Sequence, residues 1–344
     1  MTRLSFVIPC YKSSETIRDV YDEIRSVMAE KADEYSYEII AVNDASPDDT
    51  LSVLREIAAG DPSFRVIDFA RNMGKHSALL AGMRYADGEY VTCLDDDGQC
   101  PMDHFWELLA PAEGSYDVSI AKYGVKAQSF KKNIGSWANA FMMTYMLGKP
   151  KEIQFANFFV MKRFIVDELI RYPNPYCYIN GLILRTTHNI ANVPMKERAR
   201  TRGEGNYTLC KSLKLWLNGF TAFSIVPLRI ATLFGFLFSA VGFITVIVLI
   251  IRKLLHPGIA MGYTSILATI IFIGGIIMIM LGLLGEYIGR SYICINRAPQ
   301  YVVRSAWNVP GSGGSRSGTA LSADPSGCLT GGADDRRESK AGPQ

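Results

Sequence analysis

The first hundred residues alternate between short apolar runs and longer segments whose apolar residues recur at helical spacing. Short apolar runs bounded by turn residues are typical of buried strands, and recurrence every three or four residues is typical of amphipathic helices. The runs predict strands at Leu4–Pro9, Tyr37–Val42, Phe64–Phe69 and Tyr90–Leu94. The helical spacing predicts helices at Ser14–Ala29, Asp48–Ala59 and Lys75–Ala86, the first with Ser13 or Ser14 as its N-cap.

Strands that alternate with helices predict an α/β fold with a mainly parallel, doubly wound sheet. In such sheets ligands bind beyond the carboxyl ends of the strands. Polar clusters follow three of the predicted strands, at Pro9–Tyr11, Asn43–Asp44 and Asp95–Asp97. We therefore expect these clusters, which are far apart in the sequence, to meet at one edge of the sheet.

The pattern between residues 101 and 228 is less regular. Two segments, Phe130–Leu147 and Thr208–Asn218, have the spacing of amphipathic helices and carry aromatic and basic side chains. Two interpretations are open: ordinary packing within the soluble domain, or a juxtamembrane position with the basic side toward anionic headgroups.

Two long uncharged runs come next, at Ile230–Ile251 and Tyr263–Gly285. Each is long enough to cross the roughly 30 Å hydrocarbon core of a bilayer. A buried core helix is the alternative, but two adjacent uncharged runs of this length favour a transmembrane hairpin. Its glycines, Gly274, Gly275, Gly282 and Gly285, allow either close helix contact in a homo-oligomer or flexible bending.

Basic residues near the hairpin predict its orientation. Two basic residues, Arg252 and Lys253, lie in the linker between the two apolar runs. Six basic residues flank the outer ends of the hairpin: Lys211, Lys214, Arg229, Arg290, Arg297 and Arg304. Because cytoplasmic flanks carry the excess of lysine and arginine, we expect the N-terminal domain and the C-terminus at the cytoplasmic face of the inner membrane. The opening MTRLSFVIPCYKSSE has too short an apolar run for a secretory signal, which agrees with a cytoplasmic N-terminal domain.

These patterns divide the chain into a soluble domain (1–228), a membrane hairpin (229–288), a cytoplasmic segment (289–309) and a tail (310–344). The tail is rich in glycine and serine and is predicted to be disordered. A formal net charge of +3 is too small to indicate a nucleic-acid partner. The seven cysteines include no C-x-x-C pair, so we expect a reducing compartment and neither a disulfide framework nor a zinc site.

The acidic residues after the fourth strand are the first candidates for chemistry. Asp95 and Asp97 offer hard carboxylate oxygens that can hold Mg²⁺ or Mn²⁺ against a diphosphate. Such a metal neutralises charge on a departing nucleotide diphosphate. Asp44, after the second strand, is placed to accept hydrogen bonds from a nucleobase or ribose. Taken alone, acidic residues after a strand also occur in solvated turns and helix caps.

Several ordered segments together resemble one family of membrane enzymes. They read VIPCYK, VNDASPDDT, FARNMGKHSALLAGMRYADGEYVTCLDDDGQCPMD, RTRGEGNYTLCK, FSIVPLR and, after the two apolar runs, GEYIGRSY and NRAPQYVV. The set resembles the bacterial polyprenyl-phosphate glycosyltransferases, in the dolichol-phosphate mannosyltransferase-like branch of the family 2 glycosyltransferases. The resemblance covers about residues 3–307. It implies a GT-A fold and an inverting enzyme that uses a nucleotide-sugar donor, a divalent metal and a polyprenyl phosphate acceptor. It favours UDP-glucose and undecaprenyl phosphate.

The resemblance also implies roles for matching residues. Asp95 and Asp97 would be the metal and diphosphate carboxylates, with Asp96 at most a contact to the nucleotide. The nucleotide pocket would be lined by Pro9, Tyr11, Asp44 and Gln99. The candidates for gripping phosphate are Lys75, Lys122 and Arg200, each of which is also compatible with an ordinary surface position.

Three positions depart from the family pattern. Ser13 stands where the family usually has glutamate, Gly205 replaces a common serine, and Asn157 lies where many members have an acidic residue. An amide cannot accept a proton near neutral pH, so a carboxylate base at position 157 is in doubt. A phosphate monoester has a second pKa of about 6, so the acceptor is already a nucleophile at neutral pH. Our hypothesis is that Asn157 hydrogen-bonds the donor sugar or the acceptor phosphate.

Two other functions are alternatives for such a chain. A processive polysaccharide synthase also joins a GT-A domain to membrane helices, but it generally has more spans and a Q-x-x-R-W motif, which this sequence lacks. A non-catalytic membrane scaffold or flippase partner would explain the hairpin alone. The acidic residues Asp44, Asp95 and Asp97, together with Arg200, argue against it.

Overall fold

The computed structural model describes residues 1–124, 150, 152–175, 177–196, 198, 226–255, 262–296 and 298–309. Several predictions fall outside these residues. They concern the amphipathic segments Phe130–Leu147 and Thr208–Asn218, the phosphate-gripping candidate Arg200, and the tail from residue 310.

Eight strands and eight α-helices are described. The strands are β1 (Thr2–Cys10), β2 (Tyr35–Asn43), β3 (Phe64–Phe69), β4 (Tyr90–Cys93), β5 (Val118–Tyr123), β6 (Phe159–Lys162), β7 (Ile190–Met195) and β8 (Val303–Trp307). The helices are α1 (Ile17–Ala29), α2 (Thr50–Gly60), α3 (Lys75–Arg84), α4 (Phe105–Glu113), α5 (Arg163–Ile170), α6 (Ile179–Thr186), α7 (Val226–Leu255) and α8 (Tyr263–Ile295).

All eight strands form one sheet in the order β7-β5-β6-β4-β1-β2-β3-β8. The four strands predicted from the sequence, β1 to β4, pair in parallel at its centre. The outer pairings are mixed, since β6 runs antiparallel to both β4 and β5, and β8 runs antiparallel to β3. The prediction of an α/β fold with a mainly parallel sheet is confirmed, since four of the seven strand pairings are parallel.

The sheet lies between two apolar layers. Alternate residues of β1 point to opposite faces, so Phe6 belongs to one buried cluster and Val7 to the other. Helices α1, α2 and α4 cover the first face, and α3, α5 and α6 cover the second. Burial on both faces explains why the central strands read as continuous apolar runs instead of alternating ones.

The first helix begins later than its spacing predicts. It starts at Ile17, with Thr16 in the N-cap position and no side-chain capping bond. The prediction that Ser13 or Ser14 caps it is therefore wrong. Both serines are engaged elsewhere, because Ser13 donates to Asp96 and the Ser14 amide donates to Asp48.

A buried ionic network ties the amino ends of the strands together. Glu38 in β2 is 1% exposed and accepts from Ser5 Oγ at 2.7 Å and from Arg65 at 2.8 Å. Arg65 also pairs with Asp87 at 2.9 Å. Because a buried carboxylate without partners is strongly destabilising, this network fixes the register of three strands at the edge opposite the polar clusters. The turn before β4 is part of it, since the Gly88 amide donates to Ser5 Oγ at 2.8 Å.

Replacing Gly88 by alanine is expected to destabilise the fold. A Cβ atom there would lie 2.6 Å from Ser5 Oγ, 2.7 Å from the Ser5 amide nitrogen and 2.9 Å from the Arg3 carbonyl oxygen. Since two of these atoms are backbone, we expect Gly88→Ala to lower the free energy of unfolding by about 3 kcal/mol. The midpoint of thermal unfolding measures it. Gly60→Ala is the matched control, because a Cβ at Gly60 meets nothing within 4 Å, and a large loss there would contradict the steric explanation.

The two predicted spans correspond to the long helices α7 and α8. Within the described residues, one helical stretch, Phe272–Ile295, is long and apolar enough to cross a membrane, and Thr232–Ile244 is a shorter apolar stretch. Large apolar side chains on both helices are exposed, among them Phe236 and Met278. Two full crossings stay a prediction at this point.

Residues 298–309, which we call the C-terminal strap, return from α8 to the sheet. The strap adds β8 to the outer edge of β3, with Val66 opposite Trp307 and Asp68 opposite Ser305. Tyr301 stacks on Phe69 at 5.2 Å between ring centroids. The sequence did not predict this strand, and its docking brings the segment after the hairpin back to the N-terminal domain.

Candidate active site

Three loops meet beyond the carboxyl edge of the central strands. The loop after β1 is bound to the loop after β2, since the Lys12 amide donates to Ser46 Oγ at 2.7 Å. It is bound to the loop after β4 as well, since the Tyr11 amide donates to Asp96 Oδ2 at 3.1 Å. The parallel pairing of β1 with both β2 and β4 places these loops side by side. The structure therefore brings together the three polar clusters.

Asp95 is held from two sides. Lys75, the first residue of α3, forms an ion pair with its Oδ1, and Asn157 Nδ2 donates to its Oδ2 at 2.8 Å. Asn157 reaches this position because β6 pairs antiparallel with β4, which sets Phe159 opposite Cys93. A cation and an amide thus lie against the carboxylate that we predict to bind metal and diphosphate.

Asp96 points back into the protein. Its Oδ2 accepts from the Tyr11 amide and from the Ser13 hydroxyl. Burial, aided by the neighbouring Asp95 and Asp97, raises the pKa of Asp96 to about 6, although the hydrogen bonds from Ser13 and Tyr11 oppose the rise. Asp96 therefore joins the loops after β1 and β4. The sequence assigned no such partner to the buried Ser13.

Asp97 and Gln99 shape the turn that follows β4. The Gln99 amide donates to Asp97 Oδ1 at 3.2 Å across Gly98, whose φ of +70° favours glycine. Gln99 also exchanges two hydrogen bonds with the backbone of Arg198, each at 3.3 Å. Gln99 thus connects the acidic cluster to the segment that leads toward the predicted phosphate-gripping loop.

Arg198 anchors that segment, and sequence reasoning missed it. Its guanidinium pairs with Glu23 in α1 and with Asp103, the latter at 2.8 Å. The signal available in the sequence was its position two residues before Arg200. Arg200 itself lies outside the described residues, so its phosphate-gripping role stays a prediction.

Asp44 closes the loop that precedes Lys75. It is 4% exposed, and its two oxygens accept from the amides of Met73 at 2.6 Å and Gly74 at 2.8 Å. Burial raises the pKa of Asp44, while the two amide hydrogen bonds limit the rise. Gly74 has a φ of +86°, so the carboxylate stabilises a turn that aims Lys75 at Asp95. Its predicted contact with a nucleobase or ribose stays a prediction.

Asp48 organises the loop after β2. It accepts hydrogen bonds from Thr50 at 2.6 Å, from Ser46 and from the Ser14 amide. Burial opposes ionisation, but these hydrogen bonds outweigh it and lower the pKa of Asp48. The predicted helix began at Asp48, whereas α2 begins at Thr50, and Asp48 lies before it and connects the loops after β2 and β1.

The remaining candidates lie around this centre. Tyr11 is 46% exposed next to Lys12, whose φ is +60°. Pro9 lies inside β1, opposite Val42. Lys122 is the penultimate residue of β5 and lies opposite Pro194 of β7. The pocket-lining and phosphate roles of these residues stay predictions.

The donor set fits a weakly caged divalent cation. Among the described residues, no group of three or more His, Cys, Asp or Glu side chains converges as a metal cage. Mg²⁺ is commonly bound by one or two carboxylates together with substrate phosphates. Asp95 and Asp97 match that arrangement, provided that Lys75 gives up its place on Asp95 Oδ1.

Removing the Asn157 amide is expected to slow catalysis without unfolding the protein. Asn157→Ala frees one oxygen of Asp95, and losing a partner that orients a ligand carboxylate lowers activity by about 10- to 100-fold. Turnover at saturating substrates measures it. Asn189→Ala is the control, because Asn189 donates to the Ser115 carbonyl, outside this cluster. Full turnover by Asn157→Ala would refute the role.

Two family models match the chain. Residues 5–170 match the model described as glycosyl transferase family 2. Residues 226–291 match the model described as the GtrB C-terminal hairpin. The first match covers the central sheet and the candidate site, and the second covers α7 and most of α8.

Relatives match across almost the whole chain. An uncharacterized glycosyltransferase of Bacillus subtilis, YkcC, is 31% identical over 89% of this chain and 94% of its own. A prophage bactoprenol glucosyl transferase homolog of Escherichia coli is 30% identical over 88% of this chain and 98% of its own. The bactoprenol glucosyl transferase derived from the SfII prophage of Shigella flexneri has the same identity and the same two coverages.

A solved structure shares the fold. Glucosyl-3-phosphoglycerate synthase from Mycobacterium tuberculosis, in complex with Mn²⁺, UDP-glucose and phosphoglyceric acid, superposes with a TM-score of 0.50 at 20% sequence identity. The match covers 64% of this chain and 78% of the synthase. At this identity the similarity concerns the GT-A fold alone.

Proposed function

Because the chain belongs to the family 2 glycosyltransferases, we propose that it transfers a hexose from a UDP-sugar to a polyprenyl phosphate. UDP-glucose is the inferred donor and undecaprenyl phosphate the inferred acceptor, since relatives that match 88% of this chain are named bactoprenol glucosyl transferases. The observation that carries the proposal is that one chain contains both an acidic site and an apolar hairpin. In the site, Asp95 is paired with Lys75 and accepts a hydrogen bond from Asn157, and the hairpin follows in the same chain.

Transfer in this site needs orientation more than proton removal. The second pKa of a phosphate monoester is about 6, so the acceptor is largely dianionic at pH 7. Attack of a phosphate oxygen on the anomeric carbon, with the nucleoside diphosphate leaving from the opposite face, inverts the anomeric centre. Asn157 is an amide and does not act as a base. Its proposed task is to hold Asp95, and through it the leaving group, in line.

Charge balance assigns a task to Lys75 and the acidic residues. Asp95 and Asp97 would hold Mg²⁺ or Mn²⁺, whose contribution when bound is Lewis-acid neutralisation of the leaving diphosphate. Lys75 forms an ion pair with Asp95. Because an ammonium group binds phosphate oxygens well, Lys75 is placed to move from Asp95 to the diphosphate when the donor enters.

The hairpin keeps the site at the membrane surface. A polyprenyl tail stays in the bilayer, so the catalytic domain must lie near the headgroups. The strap pairs with β3 of the N-terminal domain, so the segment after the hairpin returns to the domain that precedes it. Two crossings of the membrane would give that arrangement. With the basic flanks of the hairpin, this supports an inner-membrane enzyme whose sheet is cytoplasmic.

A substrate panel tests the proposal. The purified chain is incubated with UDP-glucose, UDP-galactose, UDP-N-acetylglucosamine or GDP-mannose, with undecaprenyl phosphate and Mn²⁺ or Mg²⁺, and the lipid is analysed by mass spectrometry. We expect one hexose added per lipid from UDP-glucose, and no product in EDTA. A polymeric product, activity that survives EDTA, or no transfer from any donor would contradict it.

A further inference from the structure

The C-terminal strap reaches the candidate site through one buried carboxylate, Asp68. This residue of β3 is 1% exposed. Its Oδ1 accepts from Asn43 Nδ2 at 2.8 Å. Its Oδ2 faces the strap, where Ser305 Oγ donates at 3.4 Å and Arg304 Nη1 lies 3.7 Å away. A buried carboxylate needs partners for its oxygens. Asp68 has Asn43 as its partner toward the candidate site, and Ser305 and Arg304 as its partners in the strap.

Asn43 connects Asp68 to the loop after β2 through hydrogen bonds. It is the last residue of β2, and its Oδ1 accepts from the Ser46 amide at 3.3 Å. The turn between them contains Ala45 at a φ of +49°, which is unusual for a residue other than glycine. Such a conformation persists where neighbouring contacts hold it. The same turn carries Asp44, which closes the loop before Lys75.

The strap is fixed on both sides of its Asp68 contact. Before it, Gln300 Nε2 donates to the carbonyls of Tyr172 at 2.5 Å and Asn174 at 2.8 Å. After it, Asn308 Nδ2 donates to the Ala58, Asp61 and Phe64 carbonyls at 2.7, 3.2 and 2.9 Å. Arg304 also donates to the Ala70 carbonyl at 2.9 Å. The strap therefore has several contacts with the domain besides those to Asp68, and the loss of one of them leaves the others in place.

We propose that Arg304 and Ser305 of the strap, acting through Asp68 and Asn43, are positioning residues for the loop after β2. That loop carries Asp44, the predicted contact for the nucleotide. The strap fixes Asp68, Asp68 fixes the Asn43 amide, and Asn43 fixes the turn that presents Asp44. Only a few residues separate Gln300 from the end of α8 at Ile295, so this contact joins the membrane hairpin to the nucleotide pocket. The inference rests on the proposed function only in taking the ligand of that pocket to be a nucleotide.

The first test measures nucleotide binding by the full-length chain in detergent. UDP and GDP are titrated in the presence of Mn²⁺ by calorimetry. We expect the double variant Arg304→Ala/Ser305→Ala to bind UDP about fivefold more weakly than the wild type, the size expected for one hydrogen bond. Ser305→Thr, which keeps a hydroxyl, should restore most of the affinity when Arg304 is intact. Unchanged UDP affinity in the double variant would overturn the inference.

A matched variant separates positioning from general stability. Asn308→Ala removes three hydrogen bonds of the same strap but touches neither Asp68 nor Asn43. We expect it to lower the thermal unfolding midpoint at least as much as the double variant while leaving the UDP dissociation constant within about twofold, a difference below that of a typical hydrogen bond. If both variants weakened UDP binding in proportion to their lost stability, a merely structural role would replace positioning.

A second measurement needs no nucleotide. Amide hydrogen exchange in the ligand-free chain should rise in the double variant at Ser46, Met73 and Gly74, whose amides bond to Asn43 or Asp44. It should stay unchanged at Gly88, whose amide bonds to Ser5. Unchanged exchange at the first three amides would overturn the inference. Failure of the wild type to bind UDP or GDP, with raised exchange in the variant, would instead overturn the proposed function.

Discussion

Replacing Asp95 by asparagine is expected to lower the rate of sugar transfer by about a thousandfold, or roughly 4 kcal/mol of transition-state stabilisation. The carboxylate accepts from Asn157 at 2.8 Å and pairs with Lys75. Asparagine has nearly the same shape, so the loop should keep its fold. It removes the negative charge that would hold the divalent cation, and it leaves Lys75 without its anion. Initial rates with UDP-glucose and undecaprenyl phosphate measure the loss.

Asp97→Asn should lower the rate of sugar transfer by a similar factor, whereas Asp96→Asn should lower it clearly less. Asp96 accepts from Tyr11 and Ser13 inside the protein, and an asparagine oxygen can still accept from one of these donors. Unfolding midpoints of all three variants control for loss of structure. The assignment would be wrong if Asp96→Asn were the most damaging of the three, or if Asp95→Asn kept more than about a tenth of the activity, a loss of only about 1.4 kcal/mol.

Replacing the membrane helices by a soluble linker is expected to lower the rate of transfer to a membrane-bound acceptor much more than the rate of transfer to a water-soluble one. In this variant, residues 226–295 are replaced by a Gly/Ser linker of about 30 residues, which spans roughly 30 Å on average, and the strap is kept. Transfer to undecaprenyl phosphate in vesicles should fall by about 100-fold, since membrane anchoring raises the effective concentration of a site near its acceptor. Transfer to a short, water-soluble prenyl phosphate should change little.

A second variant that also lacks residues 298–309 is the matched control. Without the strap, Asp68 loses Ser305 and Arg304, so transfer to the soluble acceptor should fall as well. An equal loss on both acceptors in the variant that keeps the strap would show that the helices do more than anchor the domain.

The central fold was readable from the sequence because burial on both faces makes β1 to β4 continuous apolar runs. Their boundaries were predicted to within about two residues, the usual uncertainty of element ends. Strands β5 to β8 were not predicted. β6 has four residues and β8 has five, and unlike the equally short β4 they lie outside the regular strand–helix alternation of the first hundred residues. Their places in the sheet depend on pairing with distant strands, which no local pattern records.

The candidate site was predictable in outline and not in its contacts. Topology alone places loops that follow parallel strands at one edge, which grouped Asp44 with Asp95. It could not assign Ser13 to Asp96, because a serine near a helix start is more often a cap. It also left open whether Lys75 is exposed or engaged. Its ion pair with Asp95 depends on the turn at Gly74, which is set by tertiary hydrogen bonds.

The pairing of β8 with β3 also sets an order of events during synthesis. The Arg304–Ala70 hydrogen bond joins residues 234 positions apart, and α7 and α8 lie between them. Contacts of such high sequence separation form late in folding. As the ribosome makes the chain from its N-terminus, the sheet keeps an open edge at β3 until the hairpin has been made and the strap has emerged. Completion of the sheet is therefore a late step in the maturation of this protein, after both apolar helices are available to the membrane.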